Sequence, residues 1–240
     1  MGRWRLKGKV WCNWPTRPRA IIEMVGGSYL SASPNISYKS FLEGLLKHNF
    51  AIHAWCYIPG FDHQAQANHA WKDLRSCRHT LEDRLQSKIK IIRLGHSLGC
   101  KLHLLAPDGG RNSNGLISIS FNNFSVNKSI PMINDIASRF NIKPEFRPSP
   151  TETMKLITHN YNQPKNLIIN FSNDRLDESQ KLIDVLNQIN KEQLKHILLG
   201  GDHLTPVSSG MTKNMLVNWN NKNKRANNLN RLIEVISLWI

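Results

Sequence analysis

Three side chains that could together cleave an acyl bond are spread through this 240-residue chain: Ser97, Asp174 and His203. A serine hydroxyl is a weak nucleophile. It needs an imidazole within hydrogen-bond reach to take its proton, and the imidazole needs a carboxylate to fix its tautomer. Ser97 is the centre of Gly95-His96-Ser97-Leu98-Gly99, a G-x-S-x-G match. Asp174 stands three residues past the apolar run Asn166–Phe171, and His203 ends Gly200-Gly201-Asp202-His203, just past the run Lys195–Leu199. Serine, acid, histidine is a chain order in which such sets occur, each member just after a strand. Asp177 and Glu178 lie close enough to Asp174 to stand as alternative acids. Asp202 reads as a loop or cap residue.

The serine motif makes a further demand. Strand, tight glycine-flanked turn and helix hold the serine in a strained backbone conformation and lift its hydroxyl above the strand ends. Ile89–Leu94 before it and Leu98–Ala106 after it suit a strand and a helix. The amide of Leu98, at the helix start, would face the oxygen of a tetrahedral intermediate. A second donor is expected from the loop after the early strand Ala20–Val25, Gly26-Gly27-Ser28-Tyr29, with the amide of Gly27 or Ser28 in that role. Gly26, Tyr29 and His96 are expected around the pocket, Tyr29 and His96 either lining it or packing. Water would release the acyl group, so no metal and no organic cofactor is required. His63 and His69 do not share a helix face and read as solvated or capping residues. His103 reads as structural, and neither His159 nor His196 has a partner nameable from sequence.

The elements that must position these groups alternate. Strands are expected at 10–14, 20–25, 50–58, 89–94, 115–121, 166–171 and 195–199, with helices at 38–48, 65–86, 98–106 and 178–190. This predicts an α/β fold, a mostly parallel sheet of about six to seven strands with helices on both faces, in one domain over 1–240. Residues 125–163 break the rhythm. Helices at 131–140 and 151–157, the second capped by Thr151, form either a small helical cap or an elaborated crossover. Residues 211–228 are rich in Asn and Lys and read as loosely ordered, before a closing helix at 229–240.

Composition narrows the rest. Cys12, Cys56, Cys77 and Cys100 are scattered without a C-x-x-C pair, which argues against zinc and against a disulfide framework and suits reduced thiols. No apolar run is long enough to span a bilayer. The basic N-terminus lacks an apolar signal core. The expectation is an intracellular protein, cytoplasmic or peripheral to a membrane. The formal charge of +15 suits a solvated basic surface, with anionic lipid as the alternative contact. No zinc-finger, RNP or helix-turn-helix signature points to nucleic acid. Oligomeric state is not legible.

The chain resembles the α/β-hydrolase superfamily, and within it a group of cyanobacteria and plastids known as domain of unknown function 1350. The resemblance rests on Val25-Gly26-Gly27-Ser28-Tyr29 with Ala32-Ser33-Pro34, on Gly95–Gly99, and on Phe121-Asn122-Asn123-Phe124. It also rests on Glu145–Thr153, on Phe171–Asp177 and on Gly200–His203. It implies the hydrolase fold and the same three site positions, with a plastid stroma setting in a eukaryote. Many members carry a small Gly-Ala-type pair where this chain has Ser28 and Ser31. The front of the sheet reads as shortened, with room for one short strand before Ala20. Two functions follow: a serine hydrolase acting on a small acyl ester or thioester, or a silent scaffold of the same fold that binds a ligand, a partner or an anionic membrane.

Overall fold

A computed structural model describes residues 3–129, 145–189, 193–208 and 219–240. Its centre is an eight-stranded sheet: β1 (Arg5–Lys7), β2 (Val10–Asn13), β3 (Ala20–Val25), β4 (Phe50–Trp55), β5 (Ile91–His96), β6 (Leu116–Ile119), β7 (Asn166–Phe171) and β8 (Leu194–Leu199). The spatial order is β1-β2-β4-β3-β5-β6-β7-β8. The pairs β1–β2 and β2–β4 are antiparallel, and all the others are parallel. The sheet is one strand larger than the sequence reading, and the front holds two strands before Ala20 instead of one. Polar Arg5–Lys7 pairs with Val10–Cys12 as an edge strand, where pairing to one neighbour needs no apolar alternation.

The central strands are buried on both faces, which is why they read as continuous apolar runs. Against one face pack α2 (Lys39–Lys47), through Phe41, Leu42 and Leu45, and α8 (Trp219–Trp239), through Leu232 and Ile236. Against the other pack α3 (His63–Leu85), α4 (Leu98–Leu104), α6 (Pro150–Asn160) and α7 (Ser179–Ile189). Short α1 (Pro34–Ser37) and α5 (Val126–Ser129) complete the described α-helices. Among the described residues no helix is long and apolar enough to cross a membrane.

Several boundaries move for identifiable reasons. α3 starts after Asp62, whose carboxylate accepts from the Ala65 amide at 2.8 Å. α6 is capped by Ser149 instead of Thr151. Pro150 occupies the first turn, and Ser149 and Glu152 satisfy each other's backbone amides in a capping box. α8 begins at Trp219, ten residues before the expected start, so part of the Asn- and Lys-rich stretch is helical. In the segment 125–163, α6 docks Ile157 and Tyr161 into the core beside α7, while the helix expected at 131–140 lies outside the described residues.

Strands β3 and β5 also carry buried charge. Glu23 and Arg93 are register neighbours, 1% and 2% exposed. Arg78 of α3 grips Glu23 with two hydrogen bonds of 3.0 and 2.9 Å, and Arg93 grips Asp108 with two of 2.9 and 2.7 Å. Each carboxylate faces a planar fork that satisfies both of its oxygens, the geometry in which a buried pair is tolerable. Removing one partner strands a charge, so Arg78→Met should lower the unfolding free energy by about 3–5 kcal/mol in urea titrations. The double variant Glu23→Leu/Arg78→Met should recover most of that loss.

Candidate active site

Four strand ends deliver the site. β5 runs into Ser97, whose backbone is held at φ 54°, ψ −123°. The left-handed conformation is costly for a residue with a Cβ, and tight packing enforces it. A Cβ on Gly99 would overlap the Val25 carbonyl, and one on Gly95 would lie 2.5 Å from the backbone of Cys100. Strand, turn and helix are thus closer than any side chain allows, as the sequence motif predicts.

His203 and Asp174 meet as the sequence order requires. Nδ1 of His203 lies 2.8 Å from Oδ2 of Asp174, whose side chain is wholly buried. The other carboxylate oxygen accepts from the Leu176 amide at 2.8 Å. Backbone bonds stitch the two loops together: Asn173 donates to the Gly201 carbonyl and Ser172 to that of Leu199. A carboxylate only accepts, so Nδ1 of His203 carries its proton and Nε2 is left with a lone pair. Burial lifts the Asp174 carboxyl, but the hydrogen bond and charge of His203, with the Leu176 amide, outweigh it and hold it below the usual carboxylate range.

The alternative acids are employed elsewhere. Asp177 accepts from the Ser179 hydroxyl, and burial followed by repulsion from Asp174 raises its carboxyl. Glu178 accepts from the Asn123 amide and pairs with Lys181. Asp202 accepts from the Leu204 amide, a loop role as expected. His159 contacts the carbonyl of Lys155 on its own helix, and His196 contacts Asn170 across β7 and β8.

His96 is neither pocket-lining nor loose. It is fully buried, with Nε2 2.9 Å from the carbonyl of His203 and Nδ1 2.8 Å from the Tyr38 hydroxyl. The carbonyl fixes Nε2 as the donor, so Nδ1 accepts from Tyr38, whose oxygen accepts from the Gly27 amide at 2.8 Å. Burial, then the neighbouring His203, push the His96 imidazole down to about 3, so it stays neutral. Its ring lies 5.0 Å from that of His203, centre to centre.

Contacts of the loop after β3 bear on three sequence expectations. The Gly27 amide is committed to Tyr38, so it is not an open oxyanion donor. The amides of Leu98 and Ser28 have no acceptor among the described residues. Tyr29 is 71% exposed. Gly26 is structural: a Cβ there would strike the ring of Tyr38 at 2.6 Å, and its carbonyl accepts from Tyr57. Tyr38 was invisible in sequence, where it marks only the start of a helical pattern.

The Ser97 hydroxyl makes no hydrogen bond to a described residue. In ligand-free hydrolases the serine–imidazole contact commonly tightens only with substrate bound. A Cβ at Gly27 would sit 3.1 Å from Cβ of Ser97 and 3.5 Å from Nδ1 of His96, which places the loop after β3 directly over the serine. Cavities of about 440 and 600 Å³ lie along α6. Neither is lined by Ser97, Asp174 or His203.

No curated protein matches the chain in sequence. Solved structures of similar shape include a monoacylglycerol lipase of Paleococcus ferrophilus, 13% identical, with a TM-score of 0.60 over 96% of this chain and 99% of that one. A carboxyl esterase of Tuber melanosporum is 13% identical, with a TM-score of 0.63 over 95% of this chain and 79% of that one. A fluorophosphonate-binding serine hydrolase of Staphylococcus aureus is 16% identical, with a TM-score of 0.57 over 97% of both chains. Likeness at these identities establishes the fold. The family model described as protein of unknown function (DUF1350) matches residues 3–232, and the chain therefore belongs to that family, built on the α/β-hydrolase fold.

Proposed function

We propose that this protein is a serine hydrolase acting on an acyl ester or thioester through Ser97, His203 and Asp174. The observation that carries the reading is the 2.8 Å contact between His203 Nδ1 and a buried Asp174, at the sheet rim where Ser97 is held in its strained turn. Nε2 of His203 takes the serine proton as Ser97 attacks the acyl carbon. Negative charge builds on the carbonyl oxygen, and the open amides of Leu98 and Ser28 are the donors that meet it. The imidazolium, steadied by Asp174, then gives its proton to the leaving alcohol or thiol. Water enters by the same route in reverse and frees the acid. The esterase, lipase and serine hydrolase names of the similarly folded structures agree with this chemistry.

A fluorophosphonate probe tests the reading. Labelling should occur in the wild type, vanish in Ser97→Ala and fall sharply in His203→Ala. Folded wild-type protein that stays unlabelled would point to a silent scaffold instead. The two acids should separate cleanly: Asp174→Asn lowers kcat on a short-chain aryl ester by roughly 10³–10⁴-fold, whereas Asp177→Asn stays within about threefold of wild type.

Tyr38→Phe removes the hydroxyl that joins Gly27 to His96 without emptying the site. It should lower kcat by about tenfold, the equivalent of one hydrogen bond, and leave KM nearly unchanged. Steady-state kinetics on a purified, folded variant would show this split.

A further inference from the structure

Far from the serine in sequence, β2 and α3 bring together groups that the proposed hydrolysis does not use. Cys12 of β2 and Cys77 of α3 are buried, with their sulfurs 2.7 Å apart, inside van der Waals contact. His53 is the cross-strand neighbour of Cys12 on β4, and its ring nitrogen completes a cluster with both sulfurs. Beside the pair lies a cavity of about 200 Å³ lined by Cys12, Trp14, Arg3, Arg5, Lys7 and Arg84. Two cysteines and a histidine suggest zinc, contrary to the sequence reading, but two observations oppose a cation. Trp14 donates its indole N–H to Nε2 of His53 at 2.8 Å, and an indole can only donate. The neutral ring therefore carries its proton on Nδ1, and neither nitrogen has a lone pair left for a metal. The cavity wall also adds four cationic side chains, which repel a dication and favour a thiolate.

We propose that Cys12 and Cys77 form an oxidisable dithiol site, which a small hydroperoxide converts into a disulfide joining β2 to α3. Cys77 is the resting thiolate. The hydrogen bond from Cys12 lowers its thiol to about 6 against the opposing effect of burial, with help from His53 and the charge of Lys7. Its sulfur attacks one oxygen of hydrogen peroxide. An S–O bond forms as the O–O bond breaks, and the departing hydroxide takes a proton to become water. The Cys12 sulfur then attacks the sulfenic sulfur of Cys77. The S–S bond forms as the S–O bond breaks, and the Cys12 proton leaves with the second hydroxide as water. Two thiols lose two electrons, and one peroxide becomes two waters. Cys56 and Cys100 stand apart, bonded to the carbonyls of Ala32 and Ile119.

Purified full-length protein treated with a few equivalents of hydrogen peroxide tests this by thiol counting and non-reducing peptide mapping. Two of the four thiols should disappear, the Cys12 and Cys77 peptides should run joined and lighter by two hydrogens, and dithiothreitol should reverse both changes. The bond would close a loop between residues 65 apart and should raise Tm by roughly 10 °C. In Cys12→Ser, dimedone should trap Cys77 as the sulfenic acid, while Cys56→Ser and Cys100→Ser should leave the joined peptide unchanged. Co-purification of stoichiometric zinc held by this pair would overturn the proposal, as would peroxide treatment that leaves the Cys12 and Cys77 peptides separate.

Discussion

The site depends on a contact with no room in it. Helix α4 leaves β5 so close to β3 that Gly99 rests on the Val25 and Gly26 carbonyls, and Gly95 rests on Cys100. A helix that begins this near a parallel sheet must turn within one residue of the strand end, and that residue is Ser97. Its left-handed backbone follows from the crowding. The same turn leaves the first amide of the helix, that of Leu98, without an intrahelical partner. Close packing thus sets both the exposure of the hydroxyl and the direction of a hydrogen-bond donor.

Such packing needs a rigid floor, and the buried charges supply one in an unusual way. Glu23 and Arg93 sit side by side at the middle of β3 and β5, each neutralised from outside the sheet, by Arg78 and Asp108. His103 of α4 adds a contact to the Glu23 carbonyl, and burial holds its imidazole down to about 3. Each charged group has its hydrogen bonds satisfied in one geometry only, so α3 and the loop after α4 are fixed against the sheet in register as well as in depth.

Much of this was legible in the sequence for a plain reason. Strands buried on both faces read as apolar runs, and a turn with no room for side chains reads as glycine. The positions of Ser97, Asp174 and His203 just past strand ends could therefore be read from the sequence. Contacts between polar groups distant in sequence were not legible. Nothing in the sequence marks Tyr38 as the acceptor of the Gly27 amide, because a tyrosine before a helix has no periodic signature. The sequence therefore left Gly27 and Ser28 as equal candidates for an oxyanion donor, and the Tyr38 contact takes up the Gly27 amide. Arg5–Lys7 escaped notice because an edge strand need not alternate. Cys12 and Cys77 escaped because their nearness is a product of tertiary packing, where short spacing motifs carry no information. Thr151 lost the cap to Ser149 because Pro150 at the first helical position shifts the start by two residues.

Three imidazoles can be compared on one footing, since each meets a partner whose hydrogen-bonding role is unambiguous. The indole of Trp14 can only donate, so His53 accepts at Nε2 and keeps its proton on Nδ1. The His203 carbonyl can only accept, so His96 presents a lone pair to Tyr38. The Asp174 carboxylate can only accept, so His203 presents a lone pair at Nε2. The His96 ring is closed on both sides by protein, and the His53 ring is closed at Nε2 and keeps its proton on the other nitrogen. The third is closed on one side, and only it has a basic nitrogen left over. That asymmetry, more than the presence of histidine, sets His203 apart from the other two rings.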